Sequence, residues 1–430
     1  MKTPELAGIA RPGLFISLIC KKLQLDGCAD FLRPLLAFPL EYKLSGPRCR
    51  RHPVRLTFMH VLVTSDTITG VWTYTRELVS GLVASGHRVT LVSFGDIPLP
   101  SQISWMKDLR TFDYHPTAFR LEWMQDCKSD LDDSTAYLTS LVEEVQPDIL
   151  HLSQFCYGSL AVDIPRIVVA HGDVITWWIT VHGREPRESQ WLRWYRDGVT
   201  RGLAGAHTVV APSGWMLESL RASYDQPMRG CVIYNGRNPV LFNPFMTKDD
   251  SVIAVGRLWD AGKQVSLLTQ NVHALPVCIV GSDQPGDLPQ IPIRADVKLE
   301  VEQGSIAFKG PQTESQLRIL YSRAAMYAAT ARYEPFGMPA LEAAFSRCAI
   351  IANDIPSLRE IWGDSAVYFR SNDAANLSEV IRSLGHNRDV CRAYGNRAYQ
   401  RARERFTAKR MVEDYLRLYR TLVSVNSAAA

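Results

Sequence analysis

No stretch of this 430-residue chain approaches the ~20 consecutive apolar residues that a membrane-spanning helix needs. Its nine cysteines show no CxxC and no Cys/His pairing at zinc spacing, which argues against a redox pair or a zinc finger. An odd, unpatterned set of thiols fits reduced cysteines in a cytoplasmic protein. There is no internal repeat and no collagen-like, Gln-rich or coiled-coil tract. A dominant charge is also missing: 48 Lys and Arg against 44 Asp and Glu leave a formal charge of +4. That is too little to argue for a nucleic-acid surface, yet compatible with an anionic substrate or membrane. What is present is 46% hydrophobic and 21% charged residues, an ordinary balance for a globular protein. The length predicts two or three domains.

Residues 1–53 stand apart. The apolar run Gly13 to Cys20 is too short to span a bilayer and is followed at once by Lys21 and Lys22, with no small-residue cleavage site in frame. Arg48 to His52 is a basic knot. The segment reads as a poorly ordered extension, or as an amphipathic leader that touches a membrane. Met59 opens MHVLVTSDTITG and is a candidate natural start.

From residue 54 an α/β pattern begins. Leu56 to Thr64 is a continuous apolar run of strand length, as expected of a parallel strand buried on both faces. A loop with Gly70 follows, then a helix over Val71 to Ser85 and a strand over Arg88 to Phe94. Residues 104–146 read as mixed and partly helical, with Asp132 and Asp133 starting a helix that runs to Val145. Asp130-Leu131-Asp132 has the form of a metal-binding Asp-x-Asp, but no apolar strand leads into it, so no metal site is assigned there. Further strands are expected at Pro147 to Leu152, Arg166 to Ala170, Val209 to Pro212 and Cys231 to Tyr234. His171 ends one of these, where a side chain faces the ligand crevice of an open α/β sheet. Trp177, Trp178, Trp191, Trp194 and Tyr195 cluster in sequence, either as core packing or as a platform for a sugar or lipid acceptor.

The pattern then repeats. This divides the chain into a first domain at 54–236, a linker at 237–250, a second domain at 251–404 and a closing helix at 405–425. In the second half, Val252 to Val255 is followed by Gly256-Arg257-Leu258-Trp259-Asp260-Ala261-Gly262-Lys263. Two cations at a strand-to-helix junction can clamp a diphosphate and offset charge growing on a leaving group.

The most informative stretch is Ala331 to Glu360, centred on Glu334-Pro335-Phe336-Gly337-Met338-Pro339-Ala340-Leu341-Glu342. Pro339 suits the first turn of a helix, where its missing N–H costs nothing. The N–H groups of Gly337, Met338, Ala340 and Leu341 would lack helical partners and form a donor-rich concavity at a positive dipole. A carboxylate on each side accepts from hydroxyls. Donors for oxygens and acceptors for O–H groups in one loop suit a phosphorylated sugar better than a metal or a nucleic acid.

This segment resembles the signature of the retaining family 4 glycosyltransferases, and the resemblance extends over roughly residues 59–425. It implies the GT-B fold: two facing Rossmann-like α/β domains with a cleft between them. It also implies transfer of a hexose from a nucleotide diphosphate sugar to a hydroxyl, with retention at the anomeric carbon and no metal or other cofactor. By the resemblance, Arg257 and Lys263 hold the diphosphate, Glu342 the ribose and Glu334 the sugar hydroxyls. Backbone groups of Phe336, Gly337 and Met338 also contact the sugar, while Gly70 and His171 approach from the other domain. The family's usual Gly-Gly in the first loop is Thr69-Gly70 here, and its Lys-Gly is replaced by Gly262-Lys263-Gln264. The acceptor stays open among lipid-linked glycan, small metabolite and protein, with possible peripheral contact at the inner face of a membrane. Two other readings stand beside this one. One is a catalytically silent GT-B module that scaffolds polysaccharide assembly. The other is a GT-B sugar-nucleotide epimerase or a phosphorylase, the last needing a lysine-bound pyridoxal phosphate.

Overall fold

The computed structural model describes residues 58–67, 70–225, 228–282 and 306–429. The extension at 1–53, the start of the strand expected from Leu56, and Thr69 lie outside the described residues.

Two parallel sheets organise the chain. In the first half the elements run β1 (His60–Asp66), α1 (Val71–Ala84), β2 (Arg88–Phe94), β3 (Phe112–Pro116), α2 (Lys128–Val145), β4 (Ile149–Leu152), β5 (Arg166–Val169), α3 (Val174–His182), α4 (Gln190–Gly205), β6 (Thr208–Ala211), α5 (Gly214–Ser223) and β7 (Gly230–Val232). The second half runs β8 (Asp249–Val255), β9 (Val277–Val280), β10 (Ile306–Phe308), α6 (Glu314–Arg323), β11 (Ala324–Ala329), α7 (Met338–Phe345), β12 (Ala349–Asn353), α8 (Pro356–Trp362), β13 (Ala366–Phe369), α9 (Ala374–His386), α10 (Arg388–Arg405) and α11 (Ala408–Ala429).

The first sheet has the order β3-β2-β1-β4-β5-β6-β7 and the second β10-β9-β8-β11-β12-β13. Each is the doubly wound arrangement in which strand order reverses beside the first strand. Ligands bind outside the carboxyl ends of the strands at that reversal. In the first sheet the reversal lies between β1 and β4, and in the second between β8 and β11. Central strands are buried along their whole length, as in β1 and β12, because helices cover both faces. The expected two-domain α/β GT-B architecture is what the chain adopts.

Several local expectations need correction. The helix expected to start at Asp132 starts at Lys128, with Asp130 in its first turn. The half-buried strand β3, Phe-Asp-Tyr-His-Pro, carries no apolar run and gave no sequence signal. The loop after Arg257 enters a short 3-10 turn, Val265–Thr269, rather than an α-helix. The closing helix, α11, needs no such correction and returns to the first sheet. Its Met411, Val412, Tyr415, Leu416 and Tyr419 share a core with Val61, Val63, Leu78 and Leu82.

Candidate active site

The carboxyl ends of β8 and β11 flank the reversal point of the second sheet, and each opens into one of the two sequences singled out above. After β8 comes the Arg257–Lys263 turn, and its organiser is Asp260. One oxygen of Asp260 accepts from Gly262 N at 2.8 Å, and the other accepts from Arg257 Nη2 at 2.6 Å. Lys263 N and Gln264 N both donate to the Asp260 carbonyl. Gln264 takes a left-handed φ of 49°, which lets the chain leave the turn. Arg257 also lies 5.0 Å over the Trp259 ring.

After β11 the chain forms a second loop, which is hydrogen-bonded to the first. The Gly262 carbonyl accepts from Arg332 N and Tyr333 N at 2.9 and 3.2 Å, and the Lys263 carbonyl accepts from Thr330 Oγ1 at 2.9 Å. The outcome is a close pair: Lys263 Nζ donates to Glu334 Oε2 at 2.7 Å. Gly337 turns the chain with φ 93°, strained for any residue with a Cβ, and caps α7. Pro339 sits in the first helical turn, as expected. Leu341 N donates to the Gly337 carbonyl, so the donor set at this helix start comprises Gly337, Met338 and Ala340, one fewer than expected. Lys263, Glu334, Gly337 and Ala340 line a cavity of about 20 Å³, room for one water and too small for a sugar.

The remaining candidates are placed differently. Phe336 is buried in the second core and packs on Phe406. Glu342 is also buried, and its Oε1 lies 2.9 Å from Nε of Arg237, whose side chain has no exposure at all. Burial raises the Glu342 pKa, and the Arg237 charge opposes that. Gly70 is exposed at the start of α1. His171 follows β5, with its ring 4.5 Å from that of Tyr74. Burial pulls its pKa down to about 3, so it stays neutral at physiological pH. His151, in β4, is locked between Tyr74 OH at 3.1 Å and Tyr419 OH at 2.5 Å.

The two halves also meet through Tyr333, which carries no sequence signal beyond its place next to Glu334. Its hydroxyl accepts from Asp173 N at 3.1 Å and lies 3.0 Å from Thr176 Oγ1, both at the start of α3. Asp173 caps that helix through Thr176 N at 2.7 Å and accepts from Tyr195 and Tyr224. From α3, Trp177 reaches the Lys263 turn: a Cβ on Gly262 would stand 2.4 Å from Trp177 Nε1. Trp191 instead packs into the first core, stacking on Tyr195 and donating Nε1 to the Met124 carbonyl at 3.0 Å. Glu360 of the second half takes the N–H groups of Gly214 and Trp215 at the start of α5, at 2.7 and 2.9 Å. Among the described residues no group of three His, Cys, Asp or Glu side chains could hold a metal, and no helix is long and apolar enough to cross a membrane.

Comparison with known proteins bears on the family and the fold. The glycosyltransferase family 4 model matches residues 68–240, and the glycosyl transferases group 1 model matches residues 244–401. The chain is 24% identical over 302 residues to an alpha-maltose-1-phosphate synthase of Mycolicibacterium smegmatis, covering 63% of this chain and 75% of that one. It is 29% identical over 161 residues to the O-antigen chain mannosyltransferase C of Escherichia coli, covering 36% and 41%. Among solved structures, sucrose-phosphate synthase from Thermosynechococcus elongatus superposes with a TM-score of 0.69 at 16% identity, covering 85% of this chain and 100% of that one. Anabaena HepE in complex with UDP-glucose superposes with a TM-score of 0.65, also at 16% identity, covering 85% and 100%. The chain belongs to the family 4 glycosyltransferases of GT-B fold.

Proposed function

We propose that this glycosyltransferase moves a hexose from a nucleotide diphosphate sugar to an acceptor hydroxyl, with retention of the anomeric configuration and without a metal. The observation that carries the reading is the Lys263–Glu334 pair, held at 2.7 Å beside an amide-lined helix start at the reversal point of the second sheet. A diphosphate takes Lys263 from Glu334, and Glu334 then accepts from the sugar hydroxyls. Arg257, with 39% of its side chain exposed, adds a second cation. These fixed charges neutralise the leaving diphosphate as the glycosidic bond breaks, the task a divalent metal performs elsewhere. The Gly337 and Met338 amides bind sugar oxygens, with Phe336 packed beneath them, and Glu342 takes the ribose.

From the first sheet, Gly70 gives the backbone access to the donor, and His171 faces the acceptor. A histidine held neutral down to about pH 3 exchanges hydrogen bonds with a hydroxyl but is a weak base. Front-face attack fits that chemistry. The acceptor oxygen bonds to the anomeric carbon as the carbon–phosphate oxygen bond breaks, and a donor phosphate oxygen takes the acceptor proton. No protein nucleophile is required. The E. coli relative is an O-antigen chain mannosyltransferase, which supports reading the acceptor as a growing glycan.

The test is a panel of UDP-, GDP- and ADP-hexoses, followed by proton NMR of the first sugar released. Release of nucleoside diphosphate with the donor's own anomer is expected. The opposite anomer contradicts retention, and release that depends on added divalent metal contradicts the cationic clamp.

A further inference from the structure

Arg237 is the most completely buried charged side chain at the junction of the two halves. Its side chain has no exposure, and its guanidinium meets three carboxylates from three elements: Glu77 of α1, Glu314 of α6 and Glu342 of α7. Glu314 is shared further with Arg76 and Arg318, so three arginines balance three carboxylates. Arg237 itself cannot drift. Its N–H donates to the Phe406 carbonyl at 3.1 Å, and its carbonyl accepts from Ala408 N at 2.9 Å. It is thus pinned where the chain crosses between the sheets in both directions.

Burying such a network does little for net stability, because desolvating the charges costs about what their attraction returns. Its distinctive consequence is to hold a fixed cation against Glu342. Arg237 Nε stands 2.9 Å from a single oxygen of Glu342 as an ion pair without a hydrogen bond, and a carboxylate has a second oxygen with lone pairs. Left alone at this depth, a glutamate protonates or swings outward. In its acid form it no longer offers two good acceptors to a pair of ribose hydroxyls.

Resting on the donor site proposed above, we propose that Arg237 is the positioning residue for the nucleotide's ribose: it fixes the Glu342 carboxylate, by the ion pair it makes with Oε1, as an ionised acceptor for the ribose hydroxyls. Arg237 does not itself touch the donor. A diphosphate lacking those hydroxyls gains nothing from this arrangement.

Calorimetric titration of the full chain with UDP, GDP and ADP identifies the diphosphate that binds, and its 2′,3′-dideoxy form is then titrated beside it. Wild type is expected to bind the dideoxy form about tenfold more weakly. Arg237→Met is expected to lose about tenfold for the natural diphosphate while the dideoxy form stays within about twofold. Glu342→Gln should show the same selective loss, with the double variant no worse than either single one. Arg237→Lys keeps the cation but not the fixed placement of the guanidinium, so a smaller loss confined to the natural diphosphate is expected if Arg237→Met does not fold. Equal weakening of both ligands would mean a merely structural arginine and overturn the proposal, as would no weakening at all. If wild type binds none of the diphosphates, the donor-site reading itself fails and this proposal with it.

Discussion

The two sheets bring opposite chemistries to the cleft. The second contributes ionic groups at its strand ends: Lys263 against Glu334, Arg257 against Asp260, and Glu342 against Arg237. The first contributes neutral ones, a deprotonated His171 packed on Tyr74 and the exposed Gly70. The contrast divides the labour. In the proposed reaction charge develops on the leaving diphosphate, so preorganised charges belong on that side. In the same proposal an acceptor hydroxyl needs orientation and exclusion of water, which aromatic packing and a neutral imidazole would supply.

The sharpest way to break this comparison is to remove a charge from the second sheet. Lys263→Ala should lower kcat by about 10²–10³ if the ammonium stabilises the leaving diphosphate. Steady-state kinetics would decide it, and a wild-type kcat would dissolve the division. A smaller effect is expected where the halves touch. In Gly262→Ala a new Cβ meets Trp177 Nε1 at 2.4 Å, and the Lys263 turn has to shift from α3. The expected cost is about 1–3 kcal/mol in urea unfolding, with a raised KM for the donor. Tyr333→Phe removes the hydroxyl that accepts from Asp173 N, and should cost about 0.5–1.5 kcal/mol by the same measurement.

The neutral side makes its own prediction. The His171 pKa is lower in the folded chain than the ordinary 6.5, so the unfolded state binds more protons between those values. Stability therefore holds above about pH 6.5 and falls toward pH 3, by up to about 1.4 kcal/mol per pH unit from this residue. His171→Asn should flatten the fall in unfolding free energy between pH 6.5 and 5 relative to wild type. Curves of equal slope would show that His171 is not held neutral.

What could be read in advance follows from range. Glu334 to Glu342 and Arg257 to Lys263 are local chemistry with a spacing, and both were visible. The strand limits Arg88–Phe94 were legible because an apolar run ends there at polar punctuation. β3 was not, since Asp113, His115 and Pro116 break any apolar pattern in a half-buried strand. Nor was the Arg237 network, whose members at 76, 77, 314, 318 and 342 meet only after two sheets have formed. Tyr333 shows the same limit: its position beside Glu334 was plain, its partner 160 residues away was not.

The most direct test of the account is thermal unfolding of wild type and Lys263→Ala across a titration of UDP, GDP and ADP. A ligand that binds only the folded state raises Tm with concentration. The account predicts a saturable rise for wild type with at least one diphosphate and a much weaker one for Lys263→Ala. Equal rises in the two proteins would contradict it.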